Sequence, residues 1–473
     1  MSAARRPSRG KARTRPVDPA RRVAYDALRA VTAAGAYANL VLPELLAERR
    51  LDTRDAAFAT ELVNGTCRLQ GTYDAVIQRA SGRPLSSLQP AVVDVLRLGA
   101  HQVLSMRVPA HAAVAASVDL VANAVGERAT GVVNAVLRRV SERDLDAWMD
   151  LLAAGLTGVE EAAVRQHHPR WVAQAFSDVL GPVGAERVME ADNRPPVTAL
   201  AVRPGLASVA ELVAEGARPG SWSPYAALVS GSPSGLAAVR EGRAGVQDEG
   251  SQLVALALSR VDAPTGPWLD LCAGPGGKAG LLAGLALQQG ADLVANEITP
   301  HRAELVTKTL AAARDQAIAT GLTLEVRTGD GREIGQAEPA AYDRVLVDAP
   351  CTGLGALRRR PEARWRRTPG DVAALAPLQR ELLASALDAV APGGVVAYAT
   401  CSPHLAETRF VVDDLLKAHP DMEQLDAREV VAAVSTGWAD LLGPGPAVQL
   451  WTHLHGTDAM YLALLRKRAV VAG

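Results

Sequence analysis

Cysteine is scarce in this sequence, with four residues among 473. Cys67, Cys272, Cys351 and Cys401 lie far apart and form no C-x-x-C pair. This spacing argues against a zinc site and against a disulfide framework, so we expect neither a bound metal nor a disulfide. It favours a reducing cytoplasm, where an isolated cysteine is a candidate nucleophile.

Long apolar runs are also missing. The sequence has no stretch of about 18 apolar residues and no signal-peptide core, which predicts a cytoplasmic protein without a membrane partner. Its net charge is −1, so binding to nucleic acid would have to come from local clusters of basic residues. With 48% hydrophobic residues, the chain is long enough for two or three domains. We expect a monomer.

The pattern of residues along the chain predicts four segments. Residues 1–18 are basic and proline-rich and predict a disordered arm, either merely solvated or in weak contact with phosphates. Residues 19–145 have apolar residues at helical spacing and predict an all-α domain. Residues 146–245 predict a small α+β linking subdomain. In residues 246–470 strand-like and helix-like runs alternate, which predicts an α/β domain with a doubly wound, mainly parallel sheet.

A glycine-rich stretch, WLDLCAGPGGK, runs from Trp268 to Lys278. It predicts a buried strand, a tight loop and the start of a helix. Cys272 and Ala279 exclude a P-loop, and Ala279 also excludes the G-x-G-x-x-G dinucleotide fingerprint. Glu297 ends a second apolar run about 20 residues beyond the loop, the distance at which a carboxylate meets ribose hydroxyls. The stretch therefore predicts a nucleotide-like site.

Polar groups follow five consecutive predicted strands. Because carboxyl ends of parallel strands meet at one edge of a sheet, these groups predict a common site. For a single cysteine at such an end, the residues leave open a buried core thiol or a reactive thiol. The groups are Asp270 with Gly274, Glu297, Asp330, Asp348 with Cys351, and Cys401.

Three motifs resemble those of S-adenosylmethionine-dependent RNA (cytosine-5)-methyltransferases of the Sun/NOP type. They are DLCAGPGGK at 270–278, DAPCTG at 348–353 and ATCS at 399–402. In the helical region, ELVNGT, RLGAHQ, MRVPAH and VNAVLRR resemble NusB and NusB-like domains. Arginine, histidine and asparagine in these helical motifs are either packing residues or RNA contacts. The combination is similar to the RsmB (Fmu/Sun) family of bacterial 16S rRNA methyltransferases.

The resemblance implies a Rossmann-like methyltransferase domain and specific roles for its residues. Cys401 would be the nucleophile that adds to C6 of cytosine, Cys351 would assist its release, and Asp348 would lie near the cofactor or the target base. The RNA partner would be 16S rRNA, with the cytosine unpaired or flipped. S-adenosylmethionine would contact Cys272, Ala273, Gly274, Pro275, Gly276, Gly277, Lys278, Glu297 (ribose), Asp330 (adenine) and Asp348.

The chain departs from the family pattern at three positions. The family usually has Ala where this chain has Gly274 and often has Asp where it has Glu297, changes that keep the implied roles. Thr408 stands where Asn is common, which puts the contacts of residues 404–409 in doubt.

An arginine-rich run follows the Cys351 loop. It is either a solvated face or a phosphate-binding wall, and we expect RNA contact; Trp365 within it is either a stacking platform or a core anchor. The motifs do not encode the target, so a methyltransferase acting on tRNA or another rRNA site, and a non-catalytic RNA-binding or antitermination factor, remain alternatives. The predicted RNA-binding residues are Arg358, Arg359, Arg360, Arg364, Arg366 and Arg367.

Overall fold

The structure is a computed structural model that describes residues 17–435 and 441–469. All but the last two residues of the predicted basic arm lie outside this range. The chain forms two compact units: one extends to residue 170 and includes 360–365, and the other comprises 171–359 and the chain from 366 onward. Within the described residues, no helix is both long and apolar enough to cross a membrane.

The first unit is helical. Asp18 and Asp52 begin two of its helices by accepting hydrogen bonds from backbone N–H groups three residues later. The apolar faces of the helices pack around one core that includes Leu28, Leu62 and Leu96. The helices are α1 (Pro19–Ala34), α2 (Ala38–Arg49), α3 (Thr53–Arg68), α4 (Gln70–Ser81), α5 (Pro90–Leu104), α6 (Ala110–Ala124), α7 (Thr130–Val140), α8 (Leu145–Ala153) and α9 (Gly158–Arg165).

Two polar residues of the helical motifs take part in packing. Arg97 forms ion pairs with Asp74 at 2.7 Å and Asp94 at 2.9 Å. The Nδ1 atom of His101 lies 2.8 Å from the hydroxyl oxygen of Tyr73, and both side chains are buried. Of the two interpretations left open by the sequence, these contacts favour packing for both residues.

The first unit continues past the predicted boundary at residue 145. Trp148 of α8 is 2% exposed, and its Nε1 donates to the carbonyl of Val140 at the end of α7. This burial of a large aromatic side chain ties α8 to the helical core. Residues 146–170 of the predicted linking subdomain therefore lie in the first unit.

The second unit begins with α10 (Arg170–Asp192), which is broken at Gly181 (φ 70°) before Pro182. A small antiparallel sheet follows, with its strands in the spatial order 218–219, 226–229, 198–202 and 244–246 and its own apolar core around Leu200 and Ala227. It matches the predicted α+β subdomain in kind. Its elements are β1 (Thr198–Val202), α11 (Val209–Ala214), β2 (Arg218–Pro219), β3 (Ala226–Val229), α12 (Ala237–Arg240) and β4 (Ala244–Val246).

The rest of the second unit is a large mixed sheet flanked by helices. The strands are β5 (Trp268–Asp270), β6 (Leu293–Glu297), β7 (Leu324–Thr328), β8 (Tyr342–Asp348), β9 (Val390–Thr400), β10 (Met422–Leu425), β11 (Val448–Gln449) and β12 (Tyr461–Lys467). The helices of this part of the chain are α13 (Glu249–Arg260), α14 (Gly277–Gln288), α15 (Pro300–Thr320), α16 (Ile334–Ala337), α17 (Ala363–Arg366), α18 (Pro369–Ala389), α19 (Arg409–Ala418), α20 (Ala427–Val434) and α21 (Thr452–His455). All but the last residue of α17 belong to the first unit.

The strand order of the large sheet is β10–β12–β9–β8–β5–β6–β7, with β11 paired to β12. Strands β5 to β9 pair in parallel, and β12 joins β9 antiparallel. The predicted α/β class and the mainly parallel sheet are thus confirmed. The short edge strands β10 and β11 were not predicted, because stretches of two to four residues show no clear alternation. The order reverses beside β5, which is where doubly wound sheets bind ligands.

Candidate functional site

Two cysteines meet where β8 and β9 end. The two strands pair in parallel with Asp348 opposite Ala399, so their following loops leave the same edge of the sheet. The Sγ atoms of Cys351 and Cys401 lie 3.4 Å apart, although 50 residues separate them in sequence. Each cysteine is partly buried. The structure thus brings together the two thiols that the sequence singled out.

A buried carboxylate links the two cysteine loops. Glu407, which is fully buried, accepts hydrogen bonds from the backbone N–H of Thr352 at 2.8 Å and from the hydroxyl of Ser402 at 2.6 Å. The hydroxyl of Thr352 also donates to it. Thr352 follows Cys351, and Ser402 follows Cys401. The sequence included Glu407 only within residues 404–409, whose contacts were left in doubt, because its partner Thr352 is 55 residues away in sequence.

Two cations act on Cys401, and each is paired with a carboxylate. Lys278, at the start of α14, pairs with Asp348 at 2.9 Å, and Arg359 pairs with Asp458. Both cations also interact electrostatically with Cys401. Burial opposes the charge on Lys278, but Asp348 and Cys401 raise its pKa above the usual value overall. Lys278 is therefore positively charged at neutral pH.

The thiol of Cys351 differs in character. Its hydrogen bond to Cys401 raises its pKa well above the usual range, and burial and the charge of Glu407 act in the same direction. Cys351 is therefore the thiol that resists ionisation, although either sulfur can donate in the hydrogen bond between them.

The predicted cofactor residues 272–278 form the loop after β5 and the first turn of α14. Gly276 adopts φ 113°, and a Cβ there would lie 2.8 Å from the hydroxyl oxygen of Thr309. A Cβ on Gly277 would meet open space, so the helix start is free for a ligand to approach. Ala273 and Pro275 lie in the same loop between β5 and α14.

Glu297 is hydrogen-bonded to the glycine loop. It is 3% exposed and accepts hydrogen bonds from the N–H groups of Gly274 and Thr299, each at 3.0 Å. Arg302 donates to the carbonyl of Gly274 and pairs with Glu297 at 3.4 Å. A Cβ on Gly274 would lie 2.1 Å from Oε2 of Glu297. The longer acid at 297 therefore occupies space that an alanine at 274 would need.

Asp270 lies beneath the loop at the end of β5. It is fully buried, and no described group meets hydrogen-bond geometry to either carboxyl oxygen. Burial raises its pKa to about 8, with the nearby charge of Asp348 adding to the effect and Lys278 opposing it. Asp270 is thus mostly protonated at neutral pH, and its carboxyl group remains available to hydrogen-bond a ligand in the site.

Two further predicted cofactor residues have contrasting surroundings. Asp330, after β7, is partly exposed, and its carboxylate accepts hydrogen bonds from the backbone and guanidinium of Arg332, which hold its pKa below the usual value. Burial raises the pKa of the Cys272 thiol well above its usual range, so Cys272 is an uncharged neighbour of the loop.

The arginines of the run at residues 358–367 differ in burial and in hydrogen-bond partners. Arg364 is fully buried and donates to the carbonyls of Arg68 and His167 within the helical unit, so a phosphate cannot reach it. RNA contact by Arg364 is therefore not supported by the structure. Arg359 is bound to Asp458, while Arg358 donates to the carbonyl of Gly456.

The remaining members of the run are accessible. Arg360 is exposed, and Arg366 and Arg367 are partly exposed. Trp365 donates through Nε1 to the carbonyl of Arg68, and its ring packs so closely on Gly71 that a Cβ there would lie 2.2 Å away. These contacts favour the core anchor over the stacking platform for Trp365.

The protonated state of Asp270 predicts a pH dependence of stability. Its folded pKa of about 8 lies above its ordinary value of 3.8, so folding takes up a proton between these pH values, and the associated stability is lost as pH rises. Asp270→Asn removes this titration. The wild type should therefore lose stability relative to the variant as pH rises. We expect the difference in Tm, variant minus wild type, to be at least about 2–4 °C larger at pH 8 than at pH 5. A difference that is independent of pH, measured by calorimetry, would contradict the protonated carboxyl.

Comparison with known proteins agrees with this geometry. The family 16S rRNA methyltransferase RsmB/F matches residues 255–466, and the NusB family matches residues 18–142. A putative methyltransferase of Mycobacterium tuberculosis is 53% identical, with 97% of this chain and 99% of the relative covered. Ribosomal RNA small subunit methyltransferase B of Salmonella paratyphi B is 31% identical, with 85% and 90% covered.

The fold is also found among solved structures. The crystal structure of PH0851 superposes with a TM-score of 0.78 at 21% identity and covers 96% of this chain and 100% of that one. The resemblance stated from the motifs is confirmed, and with it the NusB-like helical region and S-adenosylmethionine as the cofactor. The chain belongs to the RsmB/F family of S-adenosylmethionine-dependent RNA methyltransferases.

Proposed function

We propose that this protein methylates C5 of a cytosine in 16S rRNA through a covalent cysteine intermediate. The observation that carries the proposal is the 3.4 Å contact between the sulfurs of Cys351 and Cys401 beside the glycine loop. Methylation of C5 needs two groups, because C5 becomes nucleophilic only after a thiolate has added to C6, and the thiolate must later be expelled. Paired thiols meet both needs, and the reducing cytoplasm predicted from the scattered cysteines would keep them free.

Cys401 is the nucleophile in this proposal. Lys278 and Arg359 supply positive charge near its sulfur, which favours the thiolate. In this proposal the Cys351 thiol, whose sulfur lies 3.4 Å away, donates a hydrogen bond to it. The Cys401 sulfur forms a bond to C6, and the ring electrons make C5 nucleophilic. Bound S-adenosylmethionine supplies the electrophilic methyl group that C5 takes.

Cys351 assists release. Once Cys401 is bonded to C6, it is an uncharged thioether, so its contribution to the high pKa of Cys351 disappears. Cys351 then releases its proton to solvent, and its thiolate becomes the base that takes the proton from C5. The electrons of the C5–H bond restore the C5–C6 double bond, the C6–sulfur bond breaks, and Cys401 leaves as a thiolate.

The loop after β5 fits the cofactor. Open space in front of Gly277 suits a group approaching the N-terminus of α14, and the orphaned carboxyl of Asp270 can donate a hydrogen bond there. Residues 272–278 would hold the methionine part together with Asp348, Glu297 the ribose hydroxyls and Asp330 the adenine. Holding donor and base in place would contribute much of the rate.

The substrate side is the accessible part of the arginine run. Arg360, Arg366 and Arg367 would contact phosphates, while Arg358 and Arg359 support the loop. The target cytosine would be unpaired or flipped, because a thiol does not reach C6 in a stacked helix. The relative named ribosomal RNA small subunit methyltransferase B favours 16S rRNA over tRNA.

The cysteine roles predict opposite outcomes for two variants. Cys351→Ala should form the bond to C6 but fail to release it, so a protein–RNA adduct that survives denaturing electrophoresis should accumulate. Cys401→Ala should form no adduct, and both variants should lose at least about 100-fold in methyl transfer from labelled cofactor. Adduct from Cys401→Ala would exchange the two roles. Failure of the wild type to methylate small-subunit rRNA would refute the proposed substrate.

The contact between Gly274 and Glu297 predicts compensation in cofactor binding. Gly274→Ala should weaken binding of S-adenosylmethionine by about tenfold or more, because the new methyl group displaces Glu297. Adding Glu297→Asp, which shortens the acid by one methylene, should recover most of the loss. Calorimetric titration of the four proteins of this cycle checks the coupling, which is contradicted if the two losses simply add.

The accessible arginines predict a change in the salt dependence of RNA binding. The double variant Arg366→Ala, Arg367→Ala should bind rRNA fragments more weakly and lower the slope of log K against log salt by about 1.4, near 0.7 for each lost phosphate contact. Lys308→Ala with Arg314→Ala removes two exposed cations of α15 and serves as the control. Equal effects of both pairs in filter binding would argue against a localised wall.

A further inference from the structure

We propose that Glu407 is a positioning residue that sets the geometry of both thiols and maintains the proton on Cys351 until Cys401 has reacted. This inference rests on the proposed function, in which the two cysteines act in sequence. Glu407 does not touch the sulfurs by any described hydrogen bond; it acts through the residues that follow them.

The geometry places one carboxylate between the two loops. Oε1 accepts from the backbone N–H of Thr352 at 2.8 Å and from the side-chain amide of Gln379 at 3.3 Å. Oε2 accepts from the hydroxyls of Thr352 and Ser402. Because Thr352 and Ser402 are bonded to Cys351 and Cys401, movement of either loop would stretch these hydrogen bonds.

Glu407 is itself held firmly. The hydroxyl of Tyr398, on β9, donates to its backbone carbonyl at 2.9 Å, and its own N–H donates to the carbonyl of His404. Gln379 of α18 donates additionally to the carbonyl of Pro350, just before Cys351. The carboxylate is thus anchored to the sheet and to a neighbouring helix, as a rigid link between loops requires.

The burial of Glu407 indicates more than a structural role. It is fully buried, and within the described chain no Lys, Arg or His forms an ion pair with it. A buried carboxylate without a cation is costly and is offset here by its hydrogen bonds. A neutral glutamine could make most of the same contacts, so the charge itself needs an explanation.

The charge acts on the nearby thiol. The hydrogen bond with Cys401 and burial raise the pKa of Cys351 most, and the negative charges of Glu407 and Asp348 add to the effect because a charge disfavours a second like charge close by. It thereby opposes premature ionisation of Cys351. A Cys351 thiolate formed too early would withdraw the hydrogen bond to Cys401 and place like charges 3.4 Å apart.

The first experiment measures the Cys351 thiol directly, without RNA or cofactor. The rate of Cys351 alkylation by iodoacetamide is followed against pH by peptide mass, in the full-length Cys401→Ala protein with and without Glu407→Gln. We expect Glu407→Gln to lower the pH midpoint by about one unit. Glu249→Gln, which alters another buried carboxylate that holds a loop by three backbone N–H groups, should leave the midpoint unchanged.

The second experiment separates the charge of Glu407 from its position, in the protein that keeps both Cys351 and Cys401. Glu407→Asp keeps the carboxylate charge but shortens the side chain that joins the two loops. In the Cys401→Ala background, this change should leave the pH midpoint of Cys351 alkylation unchanged. With both cysteines present, kcat for methyl transfer should fall about tenfold with little change in KM for the cofactor. Glu407→Gln should keep more activity at low pH than at high pH relative to the wild type, because its Cys351 ionises earlier.

The outcomes are distinct. An unchanged midpoint for folded Glu407→Gln, with folding checked by Tm, overturns the electrostatic role, and wild-type kcat in Glu407→Asp overturns the positioning role. If Glu407→Gln does not fold, Thr352→Val, which removes one hydroxyl donor, must lower kcat for the positioning role to hold. Absence of methyl transfer by the wild type would refute the proposed function, whereas the alkylation result would still report on Glu407.

Discussion

The parallel pairing of β8 with β9 is the constraint on which the site depends. The register places Asp348 opposite Ala399, so the loops carrying Cys351 and Cys401 leave the sheet side by side. A shift by one residue would turn the side chains of one strand to the opposite face. The loops also contact directly: Gly355 donates its N–H to the carbonyl of Cys401 at 2.9 Å, and a Cβ there would lie 2.1 Å from the carbonyl of Ala459.

Charge in the site is arranged around that contact. Lys278 is paired with Asp348 and Arg359 with Asp458, so these cations are held in place while they also act on Cys401. Asp270 has no comparable hydrogen-bonding partner in the described chain and avoids the cost of a buried charge by binding a proton. The same cost of burial leaves Lys278 charged and Asp270 neutral because their neighbours differ.

The arginine run shows how neighbours in sequence can have different surroundings. Arg364 and Arg366 are two residues apart, but Arg364 is fully buried against carbonyls of the helical unit, whereas Arg366 is partly exposed. Trp365 between them packs on Gly71. A charge run by itself does not distinguish a packing arginine from one that meets a phosphate, because that depends on which surface covers each side chain.

The sequence alone determined the classes of structure and singled out the candidate site residues. Alternating strand and helix patterns predicted the α/β domain, and the glycine loop, Glu297 and the two cysteine motifs were recognisable because turn chemistry and periodicity are local properties. Only the tertiary structure decided that two sulfurs 50 residues apart lie in contact, that Glu407 joins their loops, and that burial raises the pKa of Asp270. These features depend on strand order and on burial, which arise when distant segments pack together and are therefore not encoded in any single stretch of the chain.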